Sequence, residues 1–368
     1  MSDVIVVIGA GGSVGVACVE ALLRQGERIL ATGRDLALLQ VRLAHLTSES
    51  LRLAELDVLS SAPWPAAVRA CSRFIQCAGP SFRLSDRLIA KVLAHCPSPG
   101  IFIDAGGDGA AIKRWHKPLA AAGWLGIMGA GIQPGLVGVA IRVLAARFPR
   151  TDLLRLSSFA GGLQHLTPAG LAEYLQAVHA RTGYPGMYWQ QGEWRRVVEI
   201  PPFPACFPAS ARAHPYVDEE AALAAKELSL FSLCSFNVTD SAEITYLLNE
   251  IMVTGRIPDS ASQRTADAVA AQSPWFCLSA EGIDEEDKAD VRRTILTCVD
   301  SYQVTGAVAA WAMINVKSQS HLLPGASWFS QRPQSLAIWQ QWHSQPPAGV
   351  EIVWQYPQTQ MLCEEGEI

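Results

Sequence analysis

"VIVVIGAGGSVG", residues 4–15, is the stretch on which the reading of the fold turns. Its first five residues, all β-branched, suit a buried strand. The run breaks into Gly9, Gly11, Gly12 and Gly15, and a helical pattern begins near Val14. Glycines spaced in this way between a strand and a helix permit a tight turn. They also let the backbone approach a pyrophosphate and the helix pack closely on the strand. Ser13, Val14 and Gly15 open the helix, whose unpaired N–H groups and positive dipole end favour phosphate. No Gly-Lys-Ser/Thr follows, which excludes a P-loop for nucleoside triphosphates.

Outward from this stretch, short strand patterns alternate with helical ones. Strands are expected at 4–8, 28–32 and 51–54, in "SRFIQCAG" (72–79), in "GIFIDAGG" (100–107) and in "GWLGIMGAG" (123–131), with helices at 14–24, 36–45, 84–95 and 110–121. Alternation at this spacing implies right-handed crossovers, hence an α/β fold with a Rossmann-type doubly wound parallel sheet. Set at the first strand of such a sheet, the glycines favour a dinucleotide over an ordinary glycine-rich turn.

The end of the second strand discriminates between cofactors. A carboxylate there accepts from the ribose hydroxyls of NAD(H). This chain has "LATGRD", with Thr32, Gly33 and Arg34 at that point and no acid among them. An arginine can pair bidentately with a 2′-phosphate, so NADPH is the expected cofactor. Asp35 is expected to cap the next helix. Asp57 in "ELDVLS" could approach the adenine amino group, with Val58 against the ring.

After Pro134 the pattern changes. "LLRLSSFAGG" (153–162) suggests a strand. "TPAGLAEYLQAVHARTG" (167–183) has a helix's signals: Thr167 as cap, Pro168 in the first turn, Gly183 just past the end, and a buried stripe of Leu171, Tyr174 or Leu175, and Val178. "MYWQQGEWRRVVEIPP" (187–202) predicts a hairpin turning at Gln191-Gly192. Further strands are expected at 243–248 and 275–280, the latter followed by the acidic turn "GIDEEDKAD" (282–290). A long helix is expected at 301–318, its small residues suited to close packing against a sheet. Beyond 346 the chain reads as a peripheral tail.

The bulk numbers narrow the function. At 368 residues two domains are expected. A net charge of −5, with both signs interleaved, offers no basic field for nucleic acid. Nine cysteines without a C-x-x-C pair or clustered histidines suggest reduced thiols in a cytoplasmic protein, with no disulfide framework and no metal site. Asp3 and the lack of a basic start argue against a secretory signal. The uncharged window 118–141 is long enough to span a bilayer, but its six glycines and Pro134 favour buried strand and turn, so no membrane span is expected.

Several separated segments together resemble the saccharopine dehydrogenase (saccharopine reductase) family. They are "VVIGAGGSVG", "ATGRD", "FIQCAGP" (74–80), "FIDAGGD" (102–108), "GAGIQPGL" (129–136), "FAGGL" (159–163) and "YQVTG" (302–306), in the family's order. The resemblance implies an NADP-binding Rossmann domain over 1–133 and an inserted α+β substrate and dimerisation domain over 134–300. A C-terminal helix within 301–345 would return to the first domain, leaving 346–368 as the tail. It further implies that Cys77, Ala78, Gly79 and Pro80 pass beside the nicotinamide and that the "GGD" turn ending at Asp108 floors the cleft. Both segments end expected parallel strands, where open α/β sheets bind ligands. The aromatic and proline-rich middle, 184–217, has no match to residues that would bind both carboxylate-bearing arms of saccharopine, so a different substrate is expected.

Candidate proton donors are few. Asp108 stands beside the expected nicotinamide, with a turn aspartate bound to nearby N–H groups as the alternative. His165, after "FAGGLQ", and Tyr174, on the following helix, compete with surface or packing roles. Tyr302 at the start of the returning helix and His321 in "SHLLPG" have no firm role. Cys77 has no histidine nearby in sequence and is not expected to act as a nucleophile. Val178 stands where a short-chain dehydrogenase would need lysine after Tyr174, so that proton relay is missing. The expectation is an NADPH-dependent reductase of a C=N bond in a small biosynthetic intermediate, made apolar to suit Trp189 and Trp194, in a homodimer. Those tryptophans could instead form the dimer surface. A carbonyl or enoyl reductase is the enzymatic alternative; a non-catalytic NADP(H)-sensing regulator is the alternative from another class.

Overall fold

The computed structural model describes residues 4–180, 182–317 and 323–356. In chain order the elements are β1 (Val4–Ile8), α1 (Ser13–Arg24), β2 (Arg28–Gly33), α2 (Leu36–Arg42), β3 (Leu51–Glu55), α3 (Ala66–Arg69), β4 (Arg73–Gln76), α4 (Ser81–His95), β5 (Gly100–Asp104), α5 (Gly109–Ala121) and β6 (Trp124–Met128). There follow α6 (Leu136–Ala145), β7 (Leu154–Leu163), α7 (Pro168–Ala180), β8 (Tyr184–Pro185), β9 (Met187–Gln190), β10 (Glu193–Arg196), β11 (Arg212–Val217), α8 (Glu219–Glu227), β12 (Ser232–Thr239), α9 (Ala242–Thr254), α10 (Ala261–Ala270), β13 (Trp275–Asp284) and β14 (Val291–Cys298). The chain closes with α11 (Ser301–Lys317), β15 (Gly325–Trp328), α12 (Leu336–Ser344) and β16 (Val350–Gln355). Two compact units result: residues 1–136 with 301–335, and residues 137–300 with 336–368.

The first unit is built on a seven-stranded parallel sheet ordered β15-β6-β5-β4-β1-β2-β3. Its inner strands are apolar at their centres; Ile5, Val6, Val7, Phe74, Ile75, Phe102, Ile103 and Ile127 are fully buried. Burial on both faces is what a parallel sheet covered by crossover helices requires. The order reverses at β1, between β2 on one side and β4 on the other, which makes the topological switch point of a doubly wound fold. The helix α11, arriving after the second unit, packs closely on α1. A Cβ on Gly306 would lie 2.4 Å from the Val14 carbonyl and 2.6 Å from the Cys18 nitrogen. The small residues of this helix thus serve a helix–helix contact as well as packing on the sheet.

The second unit holds a mixed nine-stranded sheet along β10-β9-β12-β7-β13-β14-β16, with β11 joined at β12 and β8 paired to β11. The ten-residue β7 is its centre, parallel to β12 and antiparallel to β13. Phe159 and Phe236 sit opposite each other in that register and stack at 4.6 Å. Phe203 and Phe207, from the segment between β10 and β11, close over them at 5.5 and 6.0 Å from Phe159. The proline- and aromatic-rich middle is therefore the lid of a hydrophobic core.

The hairpin β9–β10 turns at Gln191-Gly192 as expected, both with positive φ. Three expectations need correction. Residues 243–248 are helical, within α9, although Ile, Thr and Tyr favour strands. Ser241 caps the helix on the Ile244 N–H, Gly255 ends it in the left-handed region, and Ile244, Leu247 and Ile251 bury one stripe while Tyr246 and Val253 stay exposed. Capping and a period near 3.6 outweigh local β propensity. Residues 336–344, expected to return to the first unit, belong to the second, where the Trp339 Nε1 donates to Thr294 Oγ1 at 2.8 Å. Residues 350–355 are not peripheral: β16 pairs antiparallel with β14 over six residues. The acidic end, 357–368, lies outside the described residues.

Candidate functional site

The glycine loop joins β1 to α1 at the carboxyl edge of the parallel sheet. It is held to the next strand by one carbonyl: Gly9 N and Ala10 N both donate to Thr32 O at 3.0 Å. Thr32 is fully buried and its Oγ1 donates to Val7 O at 3.1 Å, which locks the two strand ends together. Gly9 has φ +76, and a Cβ there would lie 2.6 Å from the backbone of Ala78. A Cβ on Gly15 would come within 2.2 Å of the Gly9 carbonyl. Gly12 differs: it is exposed, and a Cβ would meet only Gly9 O, at 3.4 Å. It stands at the N-cap of α1, without side-chain capping and without an acidic residue in the first turn. The first amides of the helix, at Ser13, Val14 and Gly15, have no intrahelical acceptor and face no competing carboxylate of that turn. Steric compulsion at Gly9 and Gly15 and open space at Gly12 are what a bound pyrophosphate needs.

Arg34 follows β2 directly. It is exposed and has no side-chain partner among the described residues. Its neighbour Asp35 is committed as the cap of α2, accepting from Leu38 N at 2.9 Å. Arg42, in the last turn of α2, reaches back so that its Nε donates to Gly11 O at 3.1 Å. Inspection of the motif alone missed this second guanidinium; its only sequence signal is a position eight residues after Arg34. Asp57 lies just past β3, exposed, with Oδ1 accepting from Leu59 N at 2.8 Å. Val58 is only 5 % exposed, so its side chain belongs mainly to the core of the unit.

The β4–α4 turn carries Cys77, Ala78, Gly79 and Pro80. Cys77 N donates to Ile8 O at 2.9 Å, and the Gln76 amide clasps Ala78 through both of its backbone groups, at 2.8 and 3.1 Å. The turn therefore lies against the glycine loop, with Gly79 exposed before a cis bond to Pro80. The hydrogen bond to Cys18, burial and the nearby Asp104 push the Cys77 thiol well above an ordinary one. It is no ready nucleophile.

At the end of β5, Asp104 is a residue that sequence reasoning passed over. It is fully buried; Ser85 Oγ donates to its Oδ2 at 2.5 Å and Gly106 N to its Oδ1 at 3.0 Å. Its backbone carbonyl accepts from Ala130 N at 2.9 Å, which fastens the 129–135 loop to the same edge. An aspartate between an apolar run and two glycines was its only signal. Asp108 caps α5, with Oδ1 accepting from Ala111 N at 2.7 Å. Gly107 N donates to Ser81 Oγ at 3.3 Å, so the turn before Asp108 is tied to the start of α4. One sheet edge thus gathers the glycines, Arg34, Asp57, Cys77 to Pro80 and Asp108.

The other two candidate donors belong to the second unit. His165 follows β7, with Nε2 3.3 Å from Ser262 Oγ. Tyr174 packs beside Leu171, Leu247 and Ile251, and its hydroxyl donates to Leu248 O at 3.3 Å. Burial raises its pKa. It is a core side chain with a satisfied hydroxyl. Trp189 and Trp194 face each other across the β9–β10 hairpin at 5.4 Å, and Tyr184 stacks on Trp194. Tyr302 opens α11 in the first unit; His321 lies outside the described residues. No helix among the described residues is long and apolar enough to cross a membrane.

Apo saccharopine dehydrogenase (L-Glu forming) from Saccharomyces cerevisiae superposes with a TM-score of 0.68 at 13 % identity, over 96 % of this chain and 100 % of that one. Gre2 with NADPH from Candida albicans matches at 13 % identity over 30 % of this chain and 40 % of its own (TM-score 0.26). Serine dehydrogenase from Escherichia coli matches at 23 % over 28 % and 61 % (TM-score 0.23). Superpositions as poor as these two add nothing to the assignment. No family model and no curated protein sequence matches the chain. Over nearly its whole length, the chain has a saccharopine dehydrogenase-like fold.

Proposed function

We propose that the protein is an NADPH-dependent oxidoreductase that reduces the C=N bond of a small-molecule substrate. The observation that carries the cofactor choice is Arg34: exposed, without a side-chain partner among the described residues, and flanked by an aspartate already spent as a helix cap. A guanidinium there suits a 2′-phosphate, and the carboxylate that follows β2 in the chain, Asp35, is occupied as a cap. Gly9, Gly11, Gly12, Ser13, Val14 and Gly15 would hold the pyrophosphate. Cys77 to Pro80 would border the nicotinamide, and Asp57 would border the adenine. When bound, the cofactor supplies the hydride.

The C=N reading rests on the scarcity of donors. Asp108 holds the α5 N-terminus through Oδ1. A protonated imine already attracts hydride and asks for less acid catalysis than a carbonyl, whose developing oxyanion needs a strong donor. His165 remains the side chain of the second unit best suited to move a proton.

Fluorescence titration tests the cofactor. NADPH should bind more tightly than NADH, and Arg34→Ala should weaken NADPH by about 10- to 100-fold, the loss of a charged hydrogen-bonded pair, while leaving NADH unchanged. Tighter binding of NADH would overturn the role of Arg34. Stoichiometric oxidation of NADPH by cyclic imines, or by α-keto acids with amines, is the expected chemistry. Binding without turnover across that panel would instead favour a cofactor-sensing regulator.

A further inference from the structure

The second unit contains a pair of thiols that the cofactor chemistry does not use. Cys206 lies in the segment that lids the aromatic core, and Cys277 lies on β13 beneath it. Their sulfurs are 3.6 Å apart although the residues are 71 positions apart in sequence. That is contact distance for two thiols, about 1.5 Å longer than a disulfide bond. Cys277 is 1 % exposed, whereas Cys206 is half-buried. Both line a cavity of about 780 Å³, with Trp275, Cys298, Val299 and Glu351 among its other walls. A small reagent in that cavity has both thiols in its walls, Cys206 the more exposed of the two.

We propose that Cys206 and Cys277 form a thiol-exchange site that accepts a low-molecular-weight disulfide at Cys206 and resolves it with Cys277. In the first step the Cys206 sulfur, having released its proton, attacks one sulfur of the reagent R–S–S–R. That S–S bond breaks, a Cys206–S–S–R bond forms, and RS⁻ leaves and takes up a proton. In the second step the Cys277 thiol loses its proton and its sulfur attacks Cys206. A Cys206–Cys277 bond forms, and the second RS⁻ leaves and is protonated. Two protein thiols are oxidised by two electrons, and one disulfide is reduced to two thiols.

The surroundings set the order of attack. Cys277 donates a hydrogen bond to the Cys206 sulfur; with smaller contributions from Ser279, the backbone and, least, the Arg293 charge, this outweighs burial and holds Cys206 below an ordinary thiol. Cys277 is pushed far up, first by that same hydrogen bond and then by burial. Burial pushes Cys234 and Cys298 up to about 12. At neutral pH the thiolate, which is the nucleophile, is thus concentrated on Cys206. The resulting bond would staple the lid segment, with Phe203 and Phe207, to the sheet.

The full-length protein incubated with oxidised glutathione at neutral pH should give a Cys206–Cys277 cross-link in unreduced peptide maps, with no glutathione retained. Its unfolding temperature should rise by several degrees and return on adding dithiothreitol. Cys277→Ser should trap one glutathione on Cys206. A wild-type protein that keeps glutathione on Cys206, cross-links other cysteines or stays unmodified would overturn the proposal. A pH series of iodoacetamide labelling needs no variant: Cys206 should label before Cys234 and Cys298 as pH rises. Labelling of either of those first would overturn the assigned order of attack.

Discussion

At the carboxyl edge of the parallel sheet, Gly9, Gly15 and Gly306 leave no room for a single methyl group, whereas the face of the second sheet is filled by phenylalanine rings. The first region is defined by backbone. Its dimensions come from carbonyls and amides packed against one another, as where Thr32 O holds two successive N–H groups. The second is defined by side chains: Phe159, Phe236, Phe203 and Phe207 come from three separate stretches of chain and meet only in the fold. A site shaped by backbone can bring an anion close to amides. A face shaped by rings supplies stability and an apolar wall.

Phe236→Ala gives the largest effect expected from this contrast. Emptying a fully buried ring should destabilise the second unit by about 4 kcal/mol. In calorimetry this should appear as a lowered transition, while NADPH affinity of the folded protein stays unchanged. A fall in affinity would break the division of labour between the regions.

Gly9→Ala comes next. It combines a backbone clash with a φ that alanine rarely adopts, and should cost about 3 kcal/mol and abolish NADPH binding. Gly12→Ala sharpens the same comparison, because its Cβ meets open space apart from one carbonyl oxygen. Its stability should stay within about 0.5 kcal/mol, while cofactor affinity falls by about tenfold as the methyl group enters the phosphate's space. Equal affinity for the two proteins would remove the pyrophosphate from this loop.

The smallest expected effect is that of Tyr174→Phe, about 1 kcal/mol from one lost hydrogen bond to Leu248 O. NADPH turnover should be unchanged. A large drop in kcat with normal stability would return Tyr174 to the catalytic candidates.

Legibility in the sequence follows the same divide. The strand–glycine–helix signature, the alternation through β6 and the caps Asp35 and Thr167 depend on residues a few positions apart, and these expectations agree with the structure; Asp108, a candidate donor with a turn role as its alternative, caps α5. The helix α9 was misread because its β-rich composition hid a 3.6 period and two caps, which weigh more than propensity. The strand β16 was invisible as a strand because its partner, β14, lies more than 50 residues earlier. Arg42 and Asp104 escaped notice because nothing local marks them; each matters only through contacts made in space.

By itself, then, the sequence determined that a parallel sheet with a glycine-rich turn after its first strand opens the chain and that an arginine, not an acid, follows its second strand. Those features are written in short-range patterns of glycine, apolar period and capping. Only the tertiary structure decided that the proline- and aromatic-rich middle lids a core, that Tyr174 is packed and its hydroxyl satisfied, and that Cys206 meets Cys277. These depend on register between distant strands, which the burial of one whole sheet face selects and no local stretch encodes.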